Sequence, residues 1–386
     1  MMGSEIARGE FGIAGVARRT IVRGEGAYVW DATGGKYVDL GASLGVANLG
    51  HSHPRIVEAI QRQAGELVFV SSGYTTRPRI DFVDRLLSLM PPRLARVFLS
   101  NSGTEAMETA IKLARSATGR TEFVAMMRGF HGRTMGALSA TWRSDLRRPF
   151  EPLVPGFAHV PLNDIAKLEA MVTDRTAGVI VELVQGEGGI HVADPEFIRA
   201  ARTACDAHGA KLIFDEIQTG MGRTGRRWAF ERYGIHPDIL ALAKSLAGGI
   251  PIGATVTTTD VEAKFQGTLH STFGGNPIAC AAGVAALDVL VNERIDERAE
   301  RLGNAGRERL REFANPKIRE VRGLGMMIGI ELRERAAPYL EELRRRGYLA
   351  SAAGPEVLRL LPPIPIAEAD WDSALATIDE VLRDGR

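Results

Sequence analysis

Between about Pro54 and Val291 the chain repeats one pattern, a short apolar run followed by a longer stretch with apolar residues at helical spacing. The runs are Val97–Leu99, Phe123–Met127, Gly178–Val184, Leu212–Phe214, Ile239–Ala243 and Ile252–Val256. Runs with little polar alternation suit strands buried on both faces, and the interleaved helices supply the covers. An α/β domain built on a mainly parallel sheet is expected.

The flanks read differently. Ala27–Trp30 and Lys36–Leu40 enclose Asp31-Ala-Thr-Gly-Gly35 as a β-hairpin with glycines at its turn. After a helix from about Asn276 to Val291 comes a charged helix, Glu297 to Phe313, with strands at Ile318–Arg322, Met326–Leu332 and Val357–Leu361 and a short helix near Tyr339. The last helix sets Trp371, Leu375, Ile378 and Leu382 on one stripe. This predicts a smaller α+β domain formed by both termini: an N-terminal segment 1–53 joins the C-terminal residues 293–386, and residues 54–292 form the large domain.

The 386 residues are enough for a large core, and the 45% hydrophobic and 25% charged fractions are those of an ordinary globular protein. A net charge of +1 gives no global reason to expect nucleic acid or an anionic membrane as partner. Cys205 and Cys280 lack the spacing of a disulfide framework or a zinc site, so no metal is expected and both read as small buried residues. The first thirty residues lack the apolar centre of a signal peptide, and no segment reaches the ~18 apolar residues of a membrane span. A cytoplasmic protein is expected.

Only seven of the 48 lysines and arginines are lysine, and Lys244 follows the buried run Ile239-Leu-Ala-Leu-Ala243. Asp215 ends another, Leu212-Ile-Phe214. Alone, Asp215 reads more readily as a cap or turn residue before Thr219-Gly-Met-Gly. Together, an amine and a carboxylate delivered at two strand ends can hold the aldehyde carbon and the ring nitrogen of pyridoxal 5'-phosphate. Gln218 could reach that ring's phenolic oxygen. Gly103 and Thr104 open a helix after the strand at Val97, where free amides and the helix dipole make a phosphate seat, although such a turn is also an ordinary cap. Phe130 could lie against the ring or be core packing. Arg133 is a candidate clamp for a substrate carboxylate. His270-Ser-Thr-Phe-Gly-Gly-Asn-Pro277 offers Ser271 and Thr272 as hydroxyl donors before a helix.

Ser102-Gly-Thr-Glu-Ala106, Phe130-His-Gly-Arg-Thr134, Val184-Gln-Gly-Glu-Gly-Gly189, Asp215-Glu-Ile-Gln-Thr-Gly-Met-Gly-Arg-Thr-Gly225, Leu242-Ala-Lys-Ser-Leu246 and Ser271-Thr-Phe-Gly-Gly-Asn-Pro277 occur in one order along nearly the whole chain. In this the sequence resembles the class III (ornithine-type) aminotransferases, enzymes of the pyridoxal-phosphate-dependent transferase fold type I. The resemblance implies that Lys244 carries the cofactor, Asp215 pairs with its ring nitrogen, Phe130 stacks, and Gly103 with Thr104 holds the phosphate. It also implies that Thr272 reaches the phosphate of the other subunit in a homodimer, that Arg133 and Ser271 contact substrate, and that Arg359 is a second carboxylate clamp. Met107 stands where the family usually has Asn, which leaves the local hydrogen bonding in question.

Within the family the chain looks closest to acetylornithine aminotransferases. It looks closer still to enzymes acting on lysine or ornithine tethered to a small acidic amino-group carrier protein. Glutamate and 2-oxoglutarate are the expected amino donor pair. Because a terminal amine carbon bears no carboxylate, Glu187 is expected to pair with Arg359 when no substrate α-carboxylate is present. Arg143, Arg147 and Arg148, with Arg77 and Arg79, are candidates for a basic carrier-docking surface. A glutamate-semialdehyde aminomutase and a non-catalytic cofactor-binding protein are the rival readings. A dinucleotide-binding oxidoreductase fails, because Gly323-Leu-Gly-Met-Met-Ile-Gly329 is not the required glycine pattern.

Overall fold

The computed structural model describes residues 20–263 and 269–384. A seven-stranded sheet has the order Leu94–Ser100, Gly253–Thr258, Ile239–Leu242, Lys211–Asp215, Thr176–Val181, Glu122–Met126, Phe157–Val160. Every pairing from Ile239–Leu242 to Phe157–Val160 is parallel, while Gly253–Thr258 is antiparallel to both neighbours. Six strands thus share one direction, in keeping with the expected mainly parallel sheet; the single reversal comes from Gly253–Thr258. Ile239–Leu242 and Thr176–Val181 are wholly buried, and each large side chain so removed from water contributes ~1.5–3 kcal/mol.

The run read as one strand from Gly178 to Val184 breaks after Val181, and a short pair, Val184–Gln185 with His191–Val192, follows. Phe157–Val160 and Ile21–Glu25 are strands that the pattern did not announce. The helix Gly103–Thr118 buries Ala106, Ala110, Leu113 and Ala117, the face expected. Met107 is also fully buried, within the same apolar cluster as Ala110 and Ile111, so packing accounts for it. Pro277–Asn292 packs on Pro54–Glu66 and Arg77–Ser88, and a Cβ at Gly283 would come within 2.5 Å of Phe82, so only glycine allows that approach.

Ile318–Leu324, Met327–Leu332, Val357–Leu360 and Ser351–Ala352 form an antiparallel sheet. The last helix, Glu368–Asp384, buries Trp371, Leu375, Ile378 and Leu382 as the stripe predicts. The hairpin strands Tyr28–Asp31 and Lys36–Asp39 continue into Tyr348–Leu349 through the parallel register Val38–Tyr348. Buried Arg223 ties three parts of the chain, donating to Asn48 Oδ1 at 3.2 Å, Met326 O at 3.0 Å and Pro362 O at 2.6 Å. Burial pushes its pKa down to about 9, still high enough for a charged guanidinium at neutral pH. Both cysteines are buried and free. Among the described residues no helix is long and apolar enough to cross a membrane, and no cluster of potential ligands could hold a metal ion.

Candidate active site

A cavity of about 330 Å³ opens where the parallel strands end, the place at which open α/β sheets bind ligands. Its walls come from separate strand ends. Asp215 is the last residue of one strand, Lys244 lies just beyond another, and Phe130 and Arg133 follow the strand ending at Met126. Gly103 and Thr104 begin the helix Gly103–Thr118, whose cap is reciprocal: Ser102 Oγ accepts from Glu105 N at 3.3 Å while Glu105 accepts from Asn101 N at 2.9 Å. A Cβ at Gly103 would meet Ile217 Cδ1 at 2.9 Å, so the absent side chain keeps this mouth of the cavity open.

Lys244 has φ +48°, a conformation rare outside glycine, at the start of the tight turn Lys244–Ala247. Such strain concentrates at functional sites. Burial lowers the pKa of its amine, opposed by the charges of Glu187, Asp215 and Glu182; the amine has no ion-pair partner among the described residues. Across the cavity Asp215 is buried. Its carboxylate lies 2.7 Å from His131 Nδ1 and accepts from Ile217 N at 3.1 Å. Burial opposes charge on His131, yet the hydrogen bond and charge of Asp215, with the charge of Glu182, raise its pKa above the ordinary imidazole value. Gln218 donates to Leu44 O at 3.3 Å, and its Oε1 is buried without a partner.

Glu187 lines the cavity, and Arg359 stands behind it in the strand Val357–Leu360. Their ion pair measures 2.6 Å, and the same guanidinium donates to Gly186 O at 2.9 Å and Ser351 Oγ at 3.1 Å. Burial alone would raise the Glu187 pKa; the charge and hydrogen bond of Arg359 turn the net shift downward. Arg133 is exposed at the mouth.

Ser271 and Thr272 do not line this cavity. Ser271 accepts from Asn101 Nδ2 at 3.2 Å and from Gly274 N at 3.0 Å, behind the helix cap, while exposed Thr272 borders a small depression with Phe69, Tyr74 and Phe273. Two ionisable side chains went unassigned in the sequence, His131 and Glu182, and the structure puts both in the wall. Glu182 carried a usable signal, since an acid inside an otherwise apolar run must find a buried partner.

The wall fits pyridoxal phosphate: an amine without an ion-pair partner among the described residues at one side, a buried carboxylate backed by an imidazole at the other, and a helix N-terminus for the phosphate. Comparison with known proteins agrees. Residues 14–382 match the family described as Aminotransferase class-III. An acetylornithine aminotransferase from Methanopyrus kandleri is 48% identical over 94% of this chain and 94% of its own. A LysW-aminoadipate semialdehyde transaminase from Deinococcus radiodurans is 47% identical over 94% of this chain and 85% of its own. Ornithine aminotransferase from Toxoplasma gondii superposes with a TM-score of 0.92 at 34% identity, covering 98% of this chain and 94% of that one. The chain belongs to aminotransferase class III and is a pyridoxal phosphate-dependent aminotransferase.

Proposed function

We propose that the enzyme moves an amino group between glutamate/2-oxoglutarate and the terminal carbon of a diamino acid whose α-amine is blocked. The favoured substrate is lysine or ornithine linked to a small acidic carrier protein, within lysine and arginine biosynthesis; acetylornithine is the alternative. Similarity to relatives carrying both names supports the class. The carrying observation is the Glu187–Arg359 pair at the cavity wall. A site serving only α-amino acids needs a bare arginine; here the arginine is occupied and buried, as a substrate without a carboxylate at the reacting carbon requires.

The cofactor supplies an aldehyde carbon that takes the amino group and a ring that accepts electrons when a substrate C–H bond breaks. Lys244 would hold it covalently, and the freed Nζ would take the proton from the substrate's reacting carbon. Asp215, backed by His131, would keep the ring nitrogen protonated. Phe130 would stack, Gln218 would donate to the phenolic oxygen, and Gly103 with Thr104 would seat the phosphate. Glu187 would leave Arg359 to the α-carboxylate of glutamate and return to it for the terminal-amine substrate, whose distal carboxylate would meet Arg133. Ser271 would act through Asn101, and Thr272 would reach the partner's phosphate in a homodimer. For the carrier, Arg148 is exposed and Arg147 half-buried, whereas Arg143 pairs with Asp145 and Arg77 with Asp81, which narrows the free positive surface.

The test is spectroscopic: the pyridoxal form mixed with carrier-linked lysine, carrier-linked ornithine, acetylornithine and free lysine. A higher kcat/KM for a carrier-linked form is expected. A higher value for acetylornithine transfers the reading to the alternative, and failure of glutamate to yield 2-oxoglutarate would favour the aminomutase.

A further inference from the structure

Glu182 is a buried acid that the proposed chemistry leaves unused. It follows the strand Thr176–Val181 and faces two loops at once. Its Oε2 accepts from Phe130 N at 3.0 Å and its Oε1 from Gly186 N at 3.4 Å. Phe130 is the residue set to stack on the cofactor ring, and Gly186 precedes Glu187, the partner of Arg359. One carboxylate therefore joins the loop that faces the ring to the loop that carries the gate.

His131 lies near the same acid without bonding to it. A Cβ added at Gly129 would fall 3.0 Å from His131 Nε2 and 3.5 Å from Glu182 Oε2. Glu182 therefore lies in the neighbourhood of the imidazole that backs Asp215, whose Nε2 is buried without a hydrogen-bond partner. Charged groups facing Glu182 are His131 and Asp215 from neighbouring elements, with Lys244 across the cavity. Burial raises the Glu182 pKa, His131 opposes that shift and Asp215 adds to it, so the acid is held at some electrostatic cost. A costly buried acid with two backbone donors and a facing imidazole is a built feature rather than filler.

We infer that Glu182 is a positioning residue that holds the Phe130 loop and the Glu187 gate in register, and that its loss impairs the terminal-amine half-reaction more than the glutamate half-reaction. The inference rests on the proposed two-substrate use of the site. In the glutamate half Arg359 is taken by substrate, so the placement of Glu187 beyond Gly186 matters little, and what remains is the Gly186 O contact to Arg359. In the terminal-amine half the gate must be closed, and closure depends on Gly186 staying where Glu182 fixes it.

The experiment uses the holoenzyme and Glu182→Gln, which keeps size and one acceptor but removes the charge. Single-turnover absorbance with each amino donor, together with visible circular dichroism of the bound cofactor, reads rate and ring orientation separately. A loss of about 10- to 100-fold is expected in the terminal-amine half, that of a charged hydrogen bond, against a few-fold loss for glutamate, with an altered visible dichroic band. Equal losses in both halves, or unchanged dichroism with unchanged rates, overturn it. Should Glu182→Gln not fold, Glu182→Asp keeps the charge and withdraws it by one methylene; the same selective loss is expected, and an even loss refutes the inference. A wild-type enzyme inactive with every terminal amine would instead refute the proposed function, which keeps the two failures apart.

Discussion

Arg359 is only 1% exposed and Glu187 is its one carboxylate partner among the described residues. Removing a partner from a buried pair leaves an uncompensated charge, at about 3–5 kcal/mol. Glu187→Ala should therefore slow the terminal-amine half-reaction by roughly 100-fold or more while changing the glutamate half by only a few-fold, because the α-carboxylate of glutamate supplies the missing partner. Single-turnover rates that fall equally would reject the gate. Glu216, beside Asp215 in sequence, serves the fold instead: it accepts from Ala229 N at 2.6 Å and Phe230 N at 2.8 Å. Burial raises its pKa from 4.5 to about 8. A raised carboxyl stabilises the fold fully below its unfolded value, and that contribution is lost as pH climbs through the folded one. Glu216→Gln cannot ionise, so between about pH 6 and 9 the wild type should lose roughly 5 °C more in Tm than the variant, at ~2–4 °C per kcal/mol. Other groups titrate in both proteins and cancel; a pH-independent difference would show that Glu216 is not buried as an acid. Lys244 was legible because an amine following an apolar run has few structural excuses, and Asp215, which alone reads as a turn residue, became legible only beside it. His131 was not, since nothing in Phe130-His-Gly-Arg-Thr134 says which way the imidazole turns.

The loop from Phe130 to Thr134 meets the helix Gly103–Thr118 through hydroxyls and one acid. Thr104 Oγ1 lies 2.8 Å from Thr134 Oγ1, and Glu108 accepts from Gly136 N at 2.8 Å and Ala137 N at 3.0 Å, at the start of the helix Met135–Ala140. Gly132 has φ +133°, and a Cβ there would sit 2.3 Å from Thr104 Oγ1. Gly132→Ala thus adds backbone strain, ~1–3 kcal/mol, to a direct clash at the expected phosphate seat. Cofactor affinity should fall at least about 10-fold, measured by titrating apoenzyme with pyridoxal phosphate; an unchanged Kd would mean that the loop is not part of the seat. Elements with strong local signals were readable, such as the helix that Gly103 and Thr104 open after a strand. Weak signals hid the rest. Phe157–Val160 is the edge strand of its sheet, largely half-buried and interrupted by His159, so it shows neither an apolar run nor alternation. Ile21–Glu25 is mostly exposed, and Arg23 lies 4.4 Å over the Trp30 ring. The reversal of Gly253–Thr258 leaves no mark on composition, because strand direction is set by tertiary pairing.

At the scale of the whole molecule, Thr272 is the residue the single chain leaves unexplained. It lies apart from the cavity, beside Phe273 at 59% exposure, Phe69 at 41%, Val68 at 56% and Tyr74 at 70%. Phe69 and Phe273 pack against each other at a tilt with centroids 5.3 Å apart, and Asn276 donates to Val68 O at 3.0 Å, so this apolar ground is tied together. Contiguous exposed apolar surface of this kind marks an interaction site, and a twofold contact would bring the same ground together from both copies. We therefore propose that this face joins two subunits and that Thr272 completes the partner's phosphate seat. Phe273→Asp would place a charge in the middle of that contact, where burial without a partner is costly. The variant should run as a monomer by light scattering and bind pyridoxal phosphate at least about 10-fold more weakly, the loss of one charged hydrogen bond. Thr272→Val separates the two effects: it should stay dimeric yet show the same weakened binding. If the Phe273→Asp monomer held its cofactor as tightly as wild type, the seat would be complete within one chain and Thr272 would have no part in it.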